Sequence, residues 1–60
     1  MARYVCECHH YIEDISDLVV VHARDMFEAV EKARRIFCNK EHECIENTSC
    51  HCKYEEDEVI

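Results

Sequence analysis

The chain has 60 residues, with 14 acidic and 7 basic side chains, six cysteines, and neither glycine nor proline. This length allows one small domain with a marginal core, which excludes a multi-domain enzyme and a deep active site built from several elements. The formal net charge of −7 is expected to repel free nucleic acid, so we expect no direct nucleic-acid binding.

The first predicted element is a strand at about residues 3–10. Its side chains alternate, with Tyr4, Cys6 and Cys8 on one face, which is the period of a half-buried strand. The polar residues 11–17 form a connection to a second strand at about 18–23. That second segment is a continuous β-branched run, and we expect both of its faces to be at least partly covered. A hairpin is the simplest way to join these two strands.

A helix is predicted over about residues 26–38. Asp25 followed by Glu28 fits a capping box, in which the aspartate accepts a free N–H of the first turn. The helix is expected to end near Asn39, which tolerates the left-handed conformation. One apolar stripe recurs at helical spacing and comprises Ala29, Val30, Ala33, Ile36 and Phe37.

Two short strands are predicted next, at about 43–46 and 49–54, around Asn47 and Thr48. Residues 55–60 form an acidic tail. The whole chain, residues 1–60, is therefore expected to be a single α+β domain with the order ββαββ. Its one amphipathic helix packs on an antiparallel sheet.

The six cysteines leave three interpretations open. Residues i and i+2 of a strand lie about 6.5 to 7 Å apart, whereas sulfurs around one zinc ion lie about 3.8 Å apart, so a Cys-x-Cys strand cannot clamp the ion without a sharp turn. We therefore favour thiols that pack as small hydrophobic groups on the inner face of the sheet. A disulfide framework and a small zinc-binding module built from the Cys-x-Cys pairs are the alternatives.

Catalysis is not indicated. His51 is the strand neighbour of Cys50 and Cys52, and strand neighbours point to opposite faces, so it cannot act as a base for either thiol. The chain has no glycine-rich phosphate loop, oxyanion turn or nucleophile elbow. We expect no enzymatic activity, no cofactor and no bound metal.

The N-terminal residues lack the apolar region of a secretory signal, and the longest aliphatic run, residues 18–21, is far too short for a membrane span. We therefore expect a cytoplasmic protein that does not contact membranes and whose cysteines stay reduced. An exposed edge strand in so small a domain makes either a monomer or a homodimer reasonable.

The negative charge is unevenly distributed. Residues 24–40 carry five basic and three acidic side chains, whereas the rest of the chain carries eleven acidic and two basic ones. One interpretation is solubility alone. The other is a contiguous acidic surface on the two hairpins that docks on a basic, nucleic-acid-binding groove of another protein, with carboxylates at phosphate positions. The acidic side chains outside the helix that form this predicted surface are Glu7, Glu13, Asp14, Asp17, Glu43, Glu46, Glu55, Glu56, Asp57 and Glu58.

A small, acidic chain without catalytic motifs resembles the small phage-encoded anti-CRISPR proteins. Residues 20–36 are similar to the strand-then-helix segment found in some of them, with a Val-x-Ala pattern, a cap and then Ala-x3-Ala. The resemblance implies an inhibitor in the cytoplasm of an infected host cell. It would bind a CRISPR surveillance complex or effector and block target DNA binding through a surface that mimics DNA. No binding residue is transferred from the family, because its members share no functional motif.

Overall fold

Three antiparallel strands form one sheet in the computed structural model, which describes residues 1–39 and 41–57. They are β1 (Ala2–His10), β2 (Ile15–Ala23) and β3 (Thr48–Asp57), arranged in the order β2–β1–β3. The helix α1 (Met26–Cys38) follows β2, and the short helix α2 (His42–Glu46) precedes β3. The predicted α+β class is thus confirmed.

The first hairpin forms as predicted, with residues 11–14 as its turn. His10 pairs with Ile15 at the turn and Ala2 pairs with Ala23 at the opposite end. Asp14 closes the turn at φ 53°, a left-handed conformation that a short polar side chain tolerates in a chain without glycine. The strand β2 begins at Ile15, three residues before its predicted start, because pairing with β1 continues up to the turn.

The helix α1 confirms the predicted element and both of its ends. The Asp25 carboxylate accepts the N–H of Glu28 at 2.8 Å, and Asn39 lies in the left-handed region at φ 51° and ψ 41°. The capping box differs in one respect. The Glu28 carboxylate accepts the N–H of Arg24 at 3.1 Å and also bonds the Arg24 guanidinium, so it holds the residue before the cap.

The predicted strand at 43–46 is wrong, because these residues belong to the helix α2. Both sides of β1 are already paired, with β2 and with β3, so a further strand would have to extend an outer edge. A disulfide also holds Cys44 against Cys38, with the two Cα atoms 5.4 Å apart, which requires the chain to turn back after α1. Strand β3 then pairs along β1 instead of forming a second hairpin.

The predicted acidic tail is also partly wrong, since residues 55–57 are the end of β3. Ala2 pairs with Asp57 and Arg3 with Glu56, after a register shift between Arg3 and Tyr4. The remaining part of the predicted tail, residues 58–60, lies outside the described residues.

All six cysteines form disulfides, so the expectation of reduced thiols is wrong. Cys6 is bonded to Cys52 and Cys8 to Cys50 across β1 and β3, and the third bond joins Cys38 to Cys44. Antiparallel pairing explains the two cross-strand bonds, because it places the first cysteine of one Cys-x-Cys segment opposite the last cysteine of the other. The prediction that these side chains face the inside of the sheet is confirmed, since Cys6 and Cys8 are fully buried.

Cystine and alanine make up most of the core beneath α1. Ala29 and Ala33 are fully buried, and their small side chains allow the helix to lie close to the sheet, where the Ala29 carbonyl oxygen is 4.0 Å from the sulfur of Cys6. Cys6 and Cys8 are the largest fully buried side chains. So small a core removes little apolar area from water, and we infer that the disulfides supply much of the stability.

The apolar stripe of α1 and the run in β2 are less covered than the sequence predicts. Ile36 is 60% exposed, Leu18 64% and Val20 55%. The reason is that α1 packs on one face of the sheet only, and β2 lies at an edge of that sheet. No helix in the described ranges 1–39 and 41–57 combines the length and apolar character that crossing a membrane requires.

Candidate partner-binding surface

A hydrogen bond between the hairpin turn and the end of α2 brings two acidic segments together. The backbone N–H of Tyr11 donates to the carbonyl oxygen of Asn47 at 2.9 Å. Asn47 also ends α2, because its side-chain amide donates to the Glu43 carbonyl oxygen at 2.8 Å. The turn and the short helix therefore form one end of the molecule.

Six carboxylates lie at this end, which we call the hairpin-end cluster. Glu13 and Asp14 belong to the turn, Asp17 to the first residues of β2, and the others to the start and body of α2. Glu13 lines a shallow groove of about 230 Å³ together with Glu41 and Glu43, so carboxylates from two segments converge on one depression. The full cluster is Glu13, Asp14, Asp17, Glu41, Glu43 and Glu46.

Glu41 was missing from the predicted surface. It stands immediately before α2 in an extended conformation, and its carbonyl oxygen accepts the N–H of Ile45 at 3.0 Å. The sequence signal was the spacing Glu41, Glu43 and Glu46, which a strand would split between two faces and a helical turn gathers at one end.

Histidines supply the ion-pair partners of this cluster among residues 1–39 and 41–57. His9 Nε2 lies 2.8 Å from an Asp14 carboxylate oxygen, and His42 Nε2 lies 2.8 Å from one of Glu46. A histidine carries positive charge only when protonated, so these pairs do not cancel the cluster's charge in the way a lysine or an arginine would. No lysine or arginine among residues 1–39 and 41–57 forms an ion pair with this cluster.

Three more of the predicted residues lie at the opposite end of the sheet. Glu55, Glu56 and Asp57, the far-end cluster, are level with Ala2, whereas the hairpin turn follows His10. Eight residue steps of a strand separate the two ends by about 26 Å. Glu58 lies outside the described residues.

The far-end cluster is partly neutralised by a permanent cation. The Arg3 guanidinium lies 2.7 Å from a Glu55 carboxylate oxygen and 2.5 Å from one of Glu56. The structure thus divides the predicted contiguous surface into two clusters, and within residues 1–39 and 41–57 an arginine pairs with the far-end cluster alone. Glu7, which belonged to the same predicted surface, lies on β1 between the two ends. It is paired with Leu18 of β2 and with His51 of β3 in the register of the sheet.

The cysteines offer no thiolates to a metal, because all of them are bonded to one another. Among the described residues, no group of three or more histidine, cysteine, aspartate or glutamate side chains is arranged to hold a metal ion. The structure therefore gives no support to the zinc-binding alternative.

The pKa values of two groups shift outside the hairpin-end cluster. Hydrogen bonds from the Arg24 backbone and side chain lower the pKa of Glu28. Removal of the Tyr54 hydroxyl from solvent raises its pKa, and so does the hydrogen bond that this side chain forms with Asp57. The ring of Tyr54 also packs edge-to-face on that of Tyr4, with the ring centroids 5.8 Å apart. Both groups take part in structural contacts at the helix cap and at the sheet end.

No protein-family model, no curated protein and no solved structure matches the chain.

Proposed function

We propose that the protein is a non-enzymatic acidic binding protein whose hairpin-end cluster docks on the basic, nucleic-acid-binding groove of another protein. The observation that carries this proposal is the Tyr11–Asn47 hydrogen bond, because it joins the turn carboxylates to those of α2. Carboxylates held at one end of a small domain can form charge-assisted hydrogen bonds with arginine and lysine.

In its most specific form, the partner is a CRISPR surveillance complex or effector, and the protein is an anti-CRISPR inhibitor of target DNA binding. Small size, net negative charge and the strand-then-helix segment at residues 20–36 support this form. The separation of the two clusters restricts the DNA-mimicking surface to the hairpin end. Binding through such a surface weakens as salt rises.

The redox state of the three disulfides depends on the compartment in which the protein acts. Three disulfides favour an oxidising environment, whereas the CRISPR form of the proposal places the protein in the cytoplasm of an infected cell, where thiols are kept reduced. Inhibition should therefore be measured with oxidised protein and with protein kept in excess dithiol. If only the oxidised protein inhibits target DNA binding, the CRISPR form of the proposal is excluded, because thiols are kept reduced in the cytoplasm.

The experiment is a target-DNA binding assay with a purified surveillance complex and increasing amounts of the chain. We expect inhibition that falls with added salt and is lost when Glu13, Glu41 and Glu43 are changed to lysine. The matched control changes the three far-end residues Glu55, Glu56 and Asp57 to lysine, and we expect it to inhibit like the wild type. No inhibition by the wild-type chain, in either redox state, would refute the CRISPR form.

The broader proposal needs a partner-independent readout. Retention of the chain on an arginine-rich peptide column should be lost at lower salt for the Glu13, Glu41 and Glu43 variant than for the far-end variant. Equal elution of the two variants would refute docking through the hairpin-end cluster, because both carry the same change in net charge.

A further inference from the structure

We propose that the exposed edge of β2 binds a second copy of this chain, so that two three-stranded sheets join across a two-fold axis. Four apolar side chains that are at least half exposed line this edge, and we call them the β2 edge patch. The patch comprises Ile15 at 50%, Leu18 at 64%, Val20 at 55% and Ile36 at 60% exposure. These four residues, three on β2 and one on α1, all line one groove along the β2 edge, with a volume of about 600 Å³.

The two edges of the sheet differ in chemistry. Both β2 and β3 are edge strands, and the exposed side chains of β3 include His51, Lys53 and Glu55. Charged residues on an edge oppose pairing with another chain, and lysine is especially common in that role. The apolar edge of β2 lacks such side chains between Leu18 and Val21, which makes it the edge suited to pairing.

The disulfide positions indicate which backbone groups of β2 point outward. The Cα atoms of Cys6 and Cys52 are 3.9 Å apart, the close spacing of a pair that is not hydrogen-bonded between β1 and β3. The backbone groups of Cys6 therefore point to the other side, toward its β2 partner Val19. By alternation, Leu18 and Val20 direct their N–H and C=O groups away from the sheet.

Two side chains protect this edge in a single copy. The Asp17 carboxylate accepts the N–H of Leu18 at 2.8 Å, and the Lys32 ammonium donates to the His22 carbonyl oxygen at 2.7 Å. One contact precedes Val20 along β2 and the other follows it. A partner strand would replace the Asp17 contact with a backbone hydrogen bond and would leave the Asp17 carboxylate available to a cation.

The charges around the β2 edge patch are those of a self-complementary surface. Glu13 and Asp17 line the groove at the hairpin end, whereas Lys32 and Arg35 line its continuation past Val20. A two-fold axis near Val19 reverses the direction of the second strand and brings the acidic end of each copy against the basic end of the other. This complementarity favours a second copy over an unrelated acidic or basic partner.

The pairing also fits the faces of the strands. With the axis at Val19, Leu18 of one copy lies opposite the second copy's Val20, and both belong to the face of the sheet that α1 leaves uncovered. Asp17 lies opposite the second copy's Val21, beside Lys32. Apolar side chains therefore meet at the centre of the interface and opposite charges meet at its ends.

The test is sedimentation analysis of the oxidised full-length chain between about 10 μM and about 1 mM, a range that covers weak homodimers. We expect the mass to rise with concentration from 7.2 kDa to twice that value. Val20→Lys should weaken the dimer at least about tenfold, because it replaces the apolar contact with the second copy's Leu18 by a lysine, the residue that most commonly blocks pairing at a strand edge. The matched control His51→Lys adds a lysine on β3 and should leave the dimer unchanged.

A charge exchange tests the two-fold arrangement. Arg35→Asp alone should weaken the dimer by repulsion from Asp17 of the other copy, and adding Asp17→Arg should restore it. Circular dichroism and a thiol count establish that each variant is folded and oxidised. A monomer at all concentrations, a dimer insensitive to Val20→Lys, equal disruption by His51→Lys, or failure of the exchange to restore the dimer would each overturn the proposal.

Because the sedimentation assay uses the chain alone, its result is independent of docking on a basic partner. A chain that remains monomeric but is still retained on the arginine-rich column would overturn the dimer and leave the proposed function standing. If the chain forms the dimer but the Glu13, Glu41 and Glu43 variant is retained on the arginine-rich column as strongly as the wild type, the proposed function is overturned and the dimer stands.

Discussion

The N–H of Tyr11 donates to the carbonyl oxygen of Asn47 at 2.9 Å, across 36 residues of sequence. This bond is the point at which the first hairpin meets the segment between α2 and β3. Carboxylates that are remote in the sequence, such as Glu13 and Glu43, line the same groove as a result. The position of α2 thus determines whether its carboxylates join those of the hairpin turn.

Opening the third disulfide should therefore weaken the acidic end more than the sheet. Replacing Cys38 and Cys44 by serine removes a bond across six residues, which the loop-entropy model values at roughly 2 kcal/mol. We expect the midpoint of urea unfolding to fall and hydrogen exchange at residues 42–46 to accelerate. Unchanged exchange there would show that the Tyr11–Asn47 bond holds α2 without the disulfide.

The two cross-strand disulfides should be strongly non-additive. Each one closes a loop of more than 40 residues, worth roughly 4 kcal/mol in the loop-entropy model. Once Cys6 is bonded to Cys52, however, Cys8 and Cys50 are already neighbours, so the second bond restricts the unfolded chain little further. Removing either pair by alanine substitution should cost much less than removing both.

Urea unfolding of the two double variants and of the quadruple variant measures this coupling. The second bond closes only the short ring between the two pairs, worth roughly 2 kcal/mol in the same model, so we expect the quadruple variant to lose roughly 2 kcal/mol more than the sum of the two double variants would give. Additive losses would mean that packing of the buried sulfurs, not restriction of the unfolded chain, accounts for the stabilisation.

The N-terminal cap of α1 should be separable from the disulfides. Asp25→Ala removes the acceptor of the Glu28 N–H and should lower the free energy of unfolding by about 1 kcal/mol. Asp25→Asn keeps a side-chain oxygen and serves as the control, with a loss well below that of alanine. Equal losses for the two variants would contradict a cap that acts through this hydrogen bond.

The pKa of Glu28 gives a prediction for the acid range. Because the backbone and side chain of Arg24 lower it below 4.5, the folded state favours the ionised carboxylate. The resulting stabilisation is present above that reference value and is lost as the pH falls through the lower, folded-state pKa. We expect nuclear magnetic resonance titration of Glu28 to give a midpoint below 4.5 in the folded chain.

Arg24→Gln should raise that midpoint only in part. The substitution removes the guanidinium, whereas the backbone N–H of residue 24 still donates to the Glu28 carboxylate. A midpoint that returns fully to 4.5 would show that the backbone bond contributes nothing to the shift.

Local sequence rules predicted much of the fold. The alternation around Cys6, the cap at Asp25 and the left-handed end at Asn39 each depend on neighbours in the sequence, and all three are confirmed. The cross-strand pairing of Cys6 with Cys52 depends instead on which strands are adjacent. The sequence contains one hint of this pairing, the two Cys-x-Cys segments, whose cysteines match in pairs when the strands run antiparallel. That hint becomes informative only once β3 is placed beside β1.

The helix α2 and the acidic end also depend on contacts between residues far apart in the sequence, and sequence patterns did not predict them. Residues 43–46 are too few for a periodic pattern to separate a strand from a helix. Their conformation is determined by long-range contacts, the disulfide at Cys44 and the bond between Tyr11 and Asn47. Charge counting located the acidic segments, but only the register of β3 shows that Glu55 lies at the opposite end from Glu13.

Docking through the hairpin end is tested most directly by following the amide resonances of the oxidised ¹⁵N-labelled chain while an arginine-rich peptide is added. We predict chemical-shift changes confined to residues 11–17 and 41–47. These changes should disappear when the salt concentration is high enough to screen the attraction between surface charges. Shifts centred on residues 55–57, or spread evenly over the sheet, would contradict the proposal that the hairpin-end cluster is the binding surface.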